Sequence, residues 1–223
     1  MSVYAVSDIH GNYNVWQKIK EKLKPEDTLY ILGDCADRGK DGWKIIKEAF
    51  VRPNTYYIKG NHEDMLAGAI REICVDDYPG DSYQNLIYNG GESTFSSWMA
   101  DGSKFEWSFK LNKLPEHLTY TNAAGQIFEL THAGFTPPLN EFKDLIWSRQ
   151  HFRHPWPQGF DNVYIVHGHT PSPYLAEKLG IEEHINEPLV YADGHKICID
   201  NLTVRTGAAI LYNLDTMTFE LIK

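Results

Sequence analysis

Hydrophobic and polar positions along this chain predict repeated strand-loop-helix units. Short β-branched and aliphatic runs are typical of strands, and apolar residues at helical spacing follow each of the first three runs. The predicted strands are residues 3–7, 28–32 and 55–59, and the predicted helices are residues 12–23, 41–51 and 62–75. Units of this kind build parallel strands, whose carboxyl ends meet at one edge of a sheet. Polar residues on the loops at that edge are therefore expected to converge in one crevice.

The later part of the chain is rich in strand patterns and predicts a second sheet within an α/β fold. The expected strands are residues 118–121 and 126–131, which flank a turn and predict a hairpin, and residues 162–167, 196–200, 208–213 and 217–222. Residues 75–114 contain turn signals and aromatic residues, and they predict a cap of short helices and loops over the site. Because no repeat or long linker divides the sequence, residues 1–223 are expected to form a single domain.

The composition is typical of a compact cytoplasmic protein. Of 223 residues, 42% are hydrophobic and 23% are charged, which excludes a disordered chain. The amino terminus lacks the pattern of an export signal, and no apolar run approaches membrane-spanning length. The three widely spaced cysteines predict neither a disulfide framework nor a cysteine zinc site, and two of them are expected in the core.

Net charge narrows the choice of partners. A formal net charge of −9 argues against a nucleic-acid partner, since phosphate backbones are held chiefly by Lys and Arg. It does not argue against a phosphate-handling enzyme, because carboxylates and histidines can hold divalent cations that reverse the local charge. We expect neither a nucleic-acid nor a membrane partner, and a monomer rather than an oligomer.

Two motifs after the first two predicted strands carry the residue types of a metal site. Asp8 and His10 lie two positions apart and so share one side of an extended segment, but in isolation such a pair more often marks a turn with a capping Asp. Asp34 ends the second strand and could bridge two metals through both carboxylate oxygens. Arg38 can clamp a phosphate with two hydrogen bonds, whereas a surface ion pair between Asp37 and Arg38 is the less favoured alternative.

A third motif opens the third predicted helix. Asn61 offers a neutral carbonyl oxygen to a metal, and the adjacent His62 can face the substrate. Asn61 could also cap the helix, with Glu63 favourable to the helix dipole, and capping does not exclude metal ligation.

Three further histidines follow later strands: His132, His167 and His169. A lone histidine at a strand end is more often structural than a ligand. Together with the first three motifs, however, the set supplies enough ligands for two ions.

The ordered set of motifs from Asp8 to Thr170 resembles the calcineurin-like metallophosphoesterases and, within them, the phosphoprotein phosphatases. It is most similar to the small bacterial and bacteriophage serine/threonine phosphatases of the phage lambda type. Residues 89–94 and 146–149 resemble segments of that type. The resemblance implies two mixed β-sheets that form a central sandwich flanked by helices, in four α-β-β-α layers.

The resemblance also implies a role for each motif residue. The implied metal ligands are Asp8, His10, Asp34, Asn61, His132 and His169, with Asp34 between the two ions. The implied catalytic residues are His62, Asp37, Arg38 and Arg149, and the implied phosphate contacts are Arg38, Asn61, His62 and Arg149. His167 matches no ligand of the family, so a structural role is expected for it. The implied cofactors are two divalent ions, Mn²⁺ first, with Fe, Zn or Ni as other choices.

The implied reaction is direct hydrolysis of phosphoserine or phosphothreonine in proteins, with phosphotyrosine as a further substrate. A hydroxide held between the metals would attack phosphorus, and two arginines would bind the phosphate oxygens. His62, held by the Asp37 carboxylate, would donate a proton to the leaving alkoxide.

Other functions stay open. Relatives that cleave dinucleoside polyphosphates symmetrically lack an Asp at the position of Asp37, so the pair of Asp37 and Arg38 favours a protein phosphatase. A nuclease or cyclic-nucleotide phosphodiesterase is less favoured, because Thr170 and Pro171 stand where those relatives carry a further histidine. A catalytically silent binding module would be expected to lack a ligand or His62, and neither is missing.

Three segments depart from the family pattern. Residues 174–195 look longer than the phage-type equivalent and are expected to be a surface loop rather than an extended cleft rim. Residues 199–201 and 206–208 replace a more compact turn, which leaves the strand register there open. Residues 151–156 adjoin Arg149 and predict either a contact to the phosphorylated residue or a solvated loop with a packed Trp156.

Overall fold

The computed structural model describes residues 1–76, 78–102, 104–139, 144–182 and 185–223. In these residues two five-stranded mixed sheets lie face to face, and helices pack on the outer face of each sheet. The strands are β1 (Val3–Val6), β2 (Thr28–Ile31), β3 (Thr55–Tyr57), β4 (His117–Thr121), β5 (Ile127–Thr131), β6 (Val163–His167), β7 (Leu189–Tyr191), β8 (Lys196–Cys198), β9 (Ala209–Asn213) and β10 (Thr218–Ile222). The α-helices are α1 (Tyr13–Lys22), α2 (Gly42–Val51), α3 (Asn61–Arg71), α4 (Asp81–Tyr88), α5 (Glu92–Ala100), α6 (Glu106–Asn112), α7 (Ser172–Leu179) and α8 (Thr203–Thr206). The predicted fold class is confirmed.

Each sheet contains three adjacent parallel strands. The first sheet has the order β10-β9-β1-β2-β3, in which β1, β2 and β3 are parallel and β9 runs antiparallel to both of its neighbours, β1 and β10. The second has the order β4-β5-β6-β8-β7, in which β5, β6 and β8 are parallel and the edge strands run antiparallel. The carboxyl ends of the parallel strands carry the motif loops.

The alternation of side chains along the strands builds separate apolar layers. Ala5, Phe128 and Ile210 are fully buried between the two sheets. On the outer face of the first sheet, Trp16 of α1 and Ile46 of α2 belong to a second buried layer. Burial of each large apolar side chain stabilises the fold by about 1.5–3 kcal/mol, so these layers give a rigid base to the loops above them.

The strands predicted from the sequence all lie within two residues of observed ones, and one observed strand was not predicted. That strand is β7, an edge strand of three residues in which Leu189 and Tyr191 are buried and Val190 is exposed. The expectation that residues 174–195 form a surface loop is wrong, because α7 and β7 occupy much of that segment. Leu175 of α7 packs in a buried cluster with Leu189 and Tyr191, so this segment is part of the fold.

The third predicted helix ends earlier than expected. Helix α3 stops at Arg71, and a π-helical turn at Glu72–Asp76 follows it. The region of the predicted cap then contains α4, α5 and α6, whose inner residues Leu86, Trp98 and Leu111 are buried in the same layer as α1 and α2.

Two observations bear on the expectations from composition. Cys35 and Cys198 are buried, as predicted, and Cys74 is exposed. Among the described residues, the helices are too short or too polar to cross a membrane.

Candidate metal centre

Both sheets place polar side chains at the same end of the sandwich. Asp8 and His10 follow β1, Asp34 follows β2, Asn61 is the first residue of α3, His132 follows β5, and His169 lies beyond β6. All six are at least 92% buried. The structure therefore brings together the six side chains that the sequence proposed as metal ligands.

The backbone at this end is held in an uncommon conformation. Six site residues have left-handed φ angles, namely Asp8, His10, Asp34, Asp37, Arg38 and His169, with φ between 46° and 66°. Few residues other than glycine adopt such angles, and each costs free energy that the surrounding structure must offset. The loops are also closely packed, since a Cβ atom at Gly168 would lie 2.0 Å from an oxygen of Asp8.

Asp34 lies between two groups of ligand atoms. Its Oδ2 atom is 3.7 Å from Nε2 of His10, and its Oδ1 atom is 3.4 Å from Nε2 of His132. The two carboxylate oxygens thus face different histidines. Two clusters with metal-binding spacing share this residue, one with His10 and His62 and the other with Asp8 and His132.

Asn61 and Asp8 connect these groups to His169. Oδ1 of Asn61 lies 3.0 Å from Nε2 of His132 and 2.9 Å from Nδ1 of His169. Oδ1 of Asp8 lies 3.7 Å from Nε2 of His10, and its Oδ2 accepts a hydrogen bond from the amide of His169.

Backbone carbonyls orient two of the imidazoles. Nδ1 of His10 contacts the carbonyl oxygen of Ala36 at 2.9 Å, and Nδ1 of His132 contacts that of Leu32 at 2.6 Å. An Nδ1–H group that donates to a carbonyl fixes the tautomer and leaves the Nε2 lone pair for a metal. In both histidines that Nε2 atom faces Asp34.

The donor set fits divalent metal ions. Carboxylate, amide and imidazole groups are ligands for ions such as Mn, Fe or Zn. Metal bonds of about 2.1 Å place neighbouring ligand atoms about 3 Å apart, which is close to the 2.9–3.4 Å separations around Asn61 and Asp34. A cation would also offset the negative charge of Asp8 and Asp34, which are both buried.

The charges in this cluster shift one another's pKa values. Burial alone would raise the pKa of Asp34, but His132, His62 and His10 hold it well below its usual value. Burial opposes protonation of His132, yet the Asp34 carboxylate raises its pKa to about 10. Burial lowers the pKa of His10 to about 3, so that imidazole is neutral and can bind a metal.

His62 and Asp37 form a buried pair beside the ligands. Nδ1 of His62 lies 2.7 Å from Oδ2 of Asp37, and both side chains are fully buried. Burial opposes protonation of His62, but the charges of Asp34 and Asp37 raise its pKa above the usual value. Nε2 of His62 is 3.8 Å from Oδ2 of Asp34, so distance alone would also allow His62 to bind a metal. Its other ring nitrogen, Nδ1, contacts Asp37, and this contact favours a role of His62 in proton transfer.

Two arginines on different loops lie near the ligand cluster. The Arg38 guanidinium contacts Nε2 of His10 at 2.8 Å and Nε2 of His62 at 3.1 Å. Nε of Arg149 donates to Oγ1 of Thr170 at 2.9 Å. Partial desolvation and the nearby Arg38 charge lower the pKa of Arg149. Two guanidinium groups at one site can bind the oxygens of a phosphate.

Glu63 organises the loop of Asp34, a role that the sequence reasoning missed. This buried carboxylate accepts hydrogen bonds from the amides of residues 34, 35, 36 and 60 and from the Tyr57 hydroxyl, at 2.7–3.1 Å. It therefore fixes the backbone of Asp34 and of Ala36, whose carbonyl orients His10. A Glu at the third position of a helix is also expected in a capping box, and that signal could have indicated its contact to Gly60.

His167 lies on the other side of β6 from the ligands. Its Nε2 atom contacts the Tyr191 hydroxyl at 2.8 Å, and Nδ1 contacts the carbonyl of Gly168. These contacts support the structural role expected for it.

The segment that carries Arg149 is fastened by a buried lysine. Nζ of Lys196 donates to Oγ1 of Thr136 at 2.6 Å and to the carbonyl of His151 at 2.7 Å. Nε2 of His151 contacts the carbonyl of Ala133, next to His132. Burial lowers the pKa of Lys196 to about 7. Of the segment 151–156, only part is a solvated loop, because His151 and Phe152 are buried.

The sequence model of the calcineurin-like phosphoesterase family matches residues 1–201 of this chain. Curated proteins similar to it include symmetrical bis(5'-nucleosyl)-tetraphosphatases. The one from Photorhabdus laumondii is 26% identical over 143 residues, which cover 61% of this chain and 46% of that protein. In each such alignment the chain spans less than half of the curated relative's length.

Solved structures share the fold at low sequence identity. A candidate diadenosine tetraphosphatase has a TM-score of 0.67 and 16% identity, with 99% of this chain and 92% of that chain covered. A protein serine/threonine phosphatase from Saccharomyces cerevisiae has a TM-score of 0.57 and 14% identity, with 100% of this chain and 80% of that chain covered. Identities this low show the fold alone, so a specific likeness to the phage lambda type stays a prediction.

Proposed function

Because this chain belongs to the calcineurin-like phosphoesterases, we propose that it hydrolyses phosphate monoesters of serine and threonine residues in proteins. The observation that carries the proposal is the 2.7 Å contact between His62 and Asp37, next to the clusters that share Asp34. A monoester of an aliphatic alcohol has a poor leaving group, which must be protonated as it departs. A histidine held by a buried carboxylate can supply that proton.

The other site residues have separate roles in metal binding and phosphate binding. When bound, two divalent ions would supply Lewis acidity toward the phosphate oxygens and activate the attacking water. Asp8, His10, Asp34, Asn61, His132 and His169 would hold them. Arg38 and Arg149 bind the other phosphate oxygens and stabilise the charge that develops on them in the transition state. His62, whose pKa is raised by Asp34 and Asp37, donates a proton to the leaving group.

The proposal is tested by comparing turnover of matched substrates with Mn²⁺. We expect phosphoserine and phosphothreonine peptides to be hydrolysed faster than diadenosine tetraphosphate and faster than a bis-ester, with phosphotyrosine peptide as a further substrate. His62→Asn, purified in the same way, controls for a contaminating phosphatase. Faster turnover of the dinucleotide than of every phosphopeptide would overturn the proposal, and so would no turnover of any substrate by wild type with bound metal.

Symmetrical hydrolysis of dinucleoside polyphosphates is the second candidate. Its support is that the curated relatives of this chain bear that name. In that reaction the leaving group is a nucleoside diphosphate, which departs without protonation far more readily than an alkoxide. Asp37→Asn therefore distinguishes the two candidates within one protein. It should slow a phosphoserine peptide much more than diadenosine tetraphosphate, whereas equal effects on both would count against a general acid.

A further inference from the structure

Two concave pockets open beside Arg149, on the outer side of the metal centre. The larger has a volume of about 800 Å³, and its walls include Pro137, Trp147 and Pro155. The smaller has a volume of about 330 Å³ and is lined by Arg149, Gln150, Phe152, Arg153 and Lys178. Arg149 and Gln150 line both pockets, so the two pockets are adjacent.

Two lining residues of the larger pocket lie close to the metal centre. The ring of Trp147 lies 6.3 Å from the ring of the proposed ligand His169. Arg149, which also lines this pocket, donates to Thr170 next to that histidine. A substrate whose phosphate contacts Arg149 would therefore lie next to both pockets.

The described residues that line the smaller pocket carry only positive charge. Three of its five lining residues are Arg149, Arg153 and Lys178, and none of its lining residues is acidic. Within the described part of the chain, these three cations form no ion pair. This is unusual on a chain with a formal net charge of −9, in which acidic residues outnumber basic ones by 30 to 21.

Neutral contacts hold Arg153 in place. Nε of Arg153 donates to the backbone carbonyl of Lys178 at 3.1 Å, as does one of its terminal nitrogens. Phe152 is buried against Leu175 of α7 and so anchors the short 3₁₀ helix Gln150–Arg153. Since Arg153 is oriented before any ligand binds, it loses less conformational entropy on binding an anion.

Asp144, a carboxylate that lines the larger pocket, is already engaged. Its Oδ1 atom accepts hydrogen bonds from the amides of Ile146 and Trp147, at 3.1 and 2.8 Å. It therefore stabilises the turn before Arg149, and it does not contact the cations of the smaller pocket in the described structure.

We propose that the smaller pocket is a subsite for an acidic side chain of the substrate, a few residues along the polypeptide from the phosphorylated residue. This inference rests on the proposed protein phosphatase function and adds a substrate preference to it. Aspartate, glutamate and a second phosphorylated residue share the required anionic chemistry. Bidentate hydrogen bonds from Arg153 and the charge of Lys178 provide the recognition.

The expected preference is modest and depends on salt. An ion pair at an accessible site contributes about 0.2–1 kcal/mol, which corresponds to at most about a fivefold preference per cation. Screening at high ionic strength should reduce it, since the Debye length falls to about 3 Å at 1 M salt.

The experiment compares kcat/KM for two sets of phosphoserine peptides. One set carries a single glutamate at successive positions around the phosphoserine, and the other carries glutamine at the same positions. Wild type should prefer glutamate at one or two positions. Lys178→Gln and Arg153→Gln should each reduce that preference by roughly twofold to fivefold without changing kcat/KM for the glutamine peptides. Lys113→Gln, an exposed lysine at the carboxyl end of α6, is the matched control and should keep the wild-type preference.

A charge reversal makes the test sharper. Lys178→Glu should favour a peptide with lysine at the preferred position over the glutamate peptide, because the new carboxylate repels the acidic side chain. The side chain of Lys178 contributes only its charge in the described structure. The contact to Arg153 is made by the backbone carbonyl of Lys178, so this substitution leaves that contact in place.

Failure of this inference differs from failure of the proposed function. If the protein hydrolyses the peptides but wild type and the variants show no difference between glutamate and glutamine, the subsite is wrong and the function stands. If no peptide is hydrolysed, the function is wrong. If the variants slow diadenosine tetraphosphate and leave the glutamate preference unchanged, the pocket binds a polyphosphate chain, and the inference is overturned.

Discussion

The loops of the first sheet and those of the second hold their functional side chains by different means. In the first sheet, a single buried carboxylate, Glu63, accepts five hydrogen bonds and fixes the backbone of Asp34. In the second sheet, Lys196 donates to neutral oxygens of Thr136 and His151 and so fastens a segment whose side chain Arg149 remains exposed.

This difference separates chemistry from substrate binding. The first sheet supplies the buried pair of His62 and Asp37, where small displacements would change proton transfer. The second sheet supplies two of the proposed metal ligands, His132 and His169, but also the rim with Arg149 and the adjoining pockets, which a large substrate can reach. Changes in the first region should therefore lower kcat, and changes in the rim of the second should raise KM.

The largest effect is expected for His62→Asn. Loss of a general acid should lower kcat by about 10²–10⁴-fold, while the protein still binds two metal ions per chain. Metal content by elemental analysis and kcat with a phosphoserine peptide would check this. His117→Asn, on the edge strand β4, is the control. A fall to one metal per chain would show that His62 is a ligand.

Asp37→Asn should have the next largest effect and should change the pH profile. The Asp37 carboxylate helps to raise the His62 pKa, so a neutral amide should lower it. Because the protonated imidazole is the active form, wild-type kcat should fall as pH rises through the His62 pKa. In the variant that fall in kcat should begin at lower pH, and the maximal kcat should be reduced roughly 100-fold, the lower end of the range for general acid catalysis. If kcat of the variant falls at the same pH as kcat of the wild type, a group other than His62 causes the fall.

Glu63→Gln should weaken metal binding. The carboxylate of Glu63 now accepts hydrogen bonds from backbone N–H groups. In the variant the amide NH₂ would face some of these donors, and the loop of Asp34 would shift. A residue that orients ligands typically contributes 10–100-fold to metal affinity or activity. Titration with Mn²⁺ would measure the affinity, and Glu106→Gln on the surface of α6 is a matched control. Unchanged affinity would show that Asp34 is positioned without Glu63.

Lys196→Met should have the smallest effect on turnover. Loosening of the Arg149 segment should raise KM several-fold, while kcat and metal content stay near wild type. A fall in kcat at unchanged KM would contradict the division between the two regions, and Lys110→Met serves as the exposed control.

The same variant should change the pH dependence of stability. Burial lowers the folded-state pKa of Lys196 to about 7 from an ordinary value of 10.5. Between these values the unfolded chain binds more protons, so this lysine makes the wild-type free energy of unfolding rise with pH above about 7. Denaturant unfolding at several pH values should show that contribution disappear in Lys196→Met.

Much of the fold followed from local pattern, and the exceptions have a common cause. Strongly hydrophobic runs such as residues 28–32 are buried on both faces, so their composition alone predicts strands. Strand β7 has only three residues, with one of them exposed, and it forms because Leu189 and Tyr191 pack on α7. No local signal distinguishes such a segment from a loop.

The sequence by itself determined the residue types of the site and their order along the chain, because metal-binding chemistry restricts the donors to carboxylate, amide and imidazole groups. Only the tertiary structure decided that Asp34 faces histidines of both sheets, that Glu63 fixes its loop, and that Arg153 and Lys178 form one pocket with Arg149. These relations join residues far apart in the sequence. They depend on how two sheets pack face to face, and local spacing carries no information about that packing.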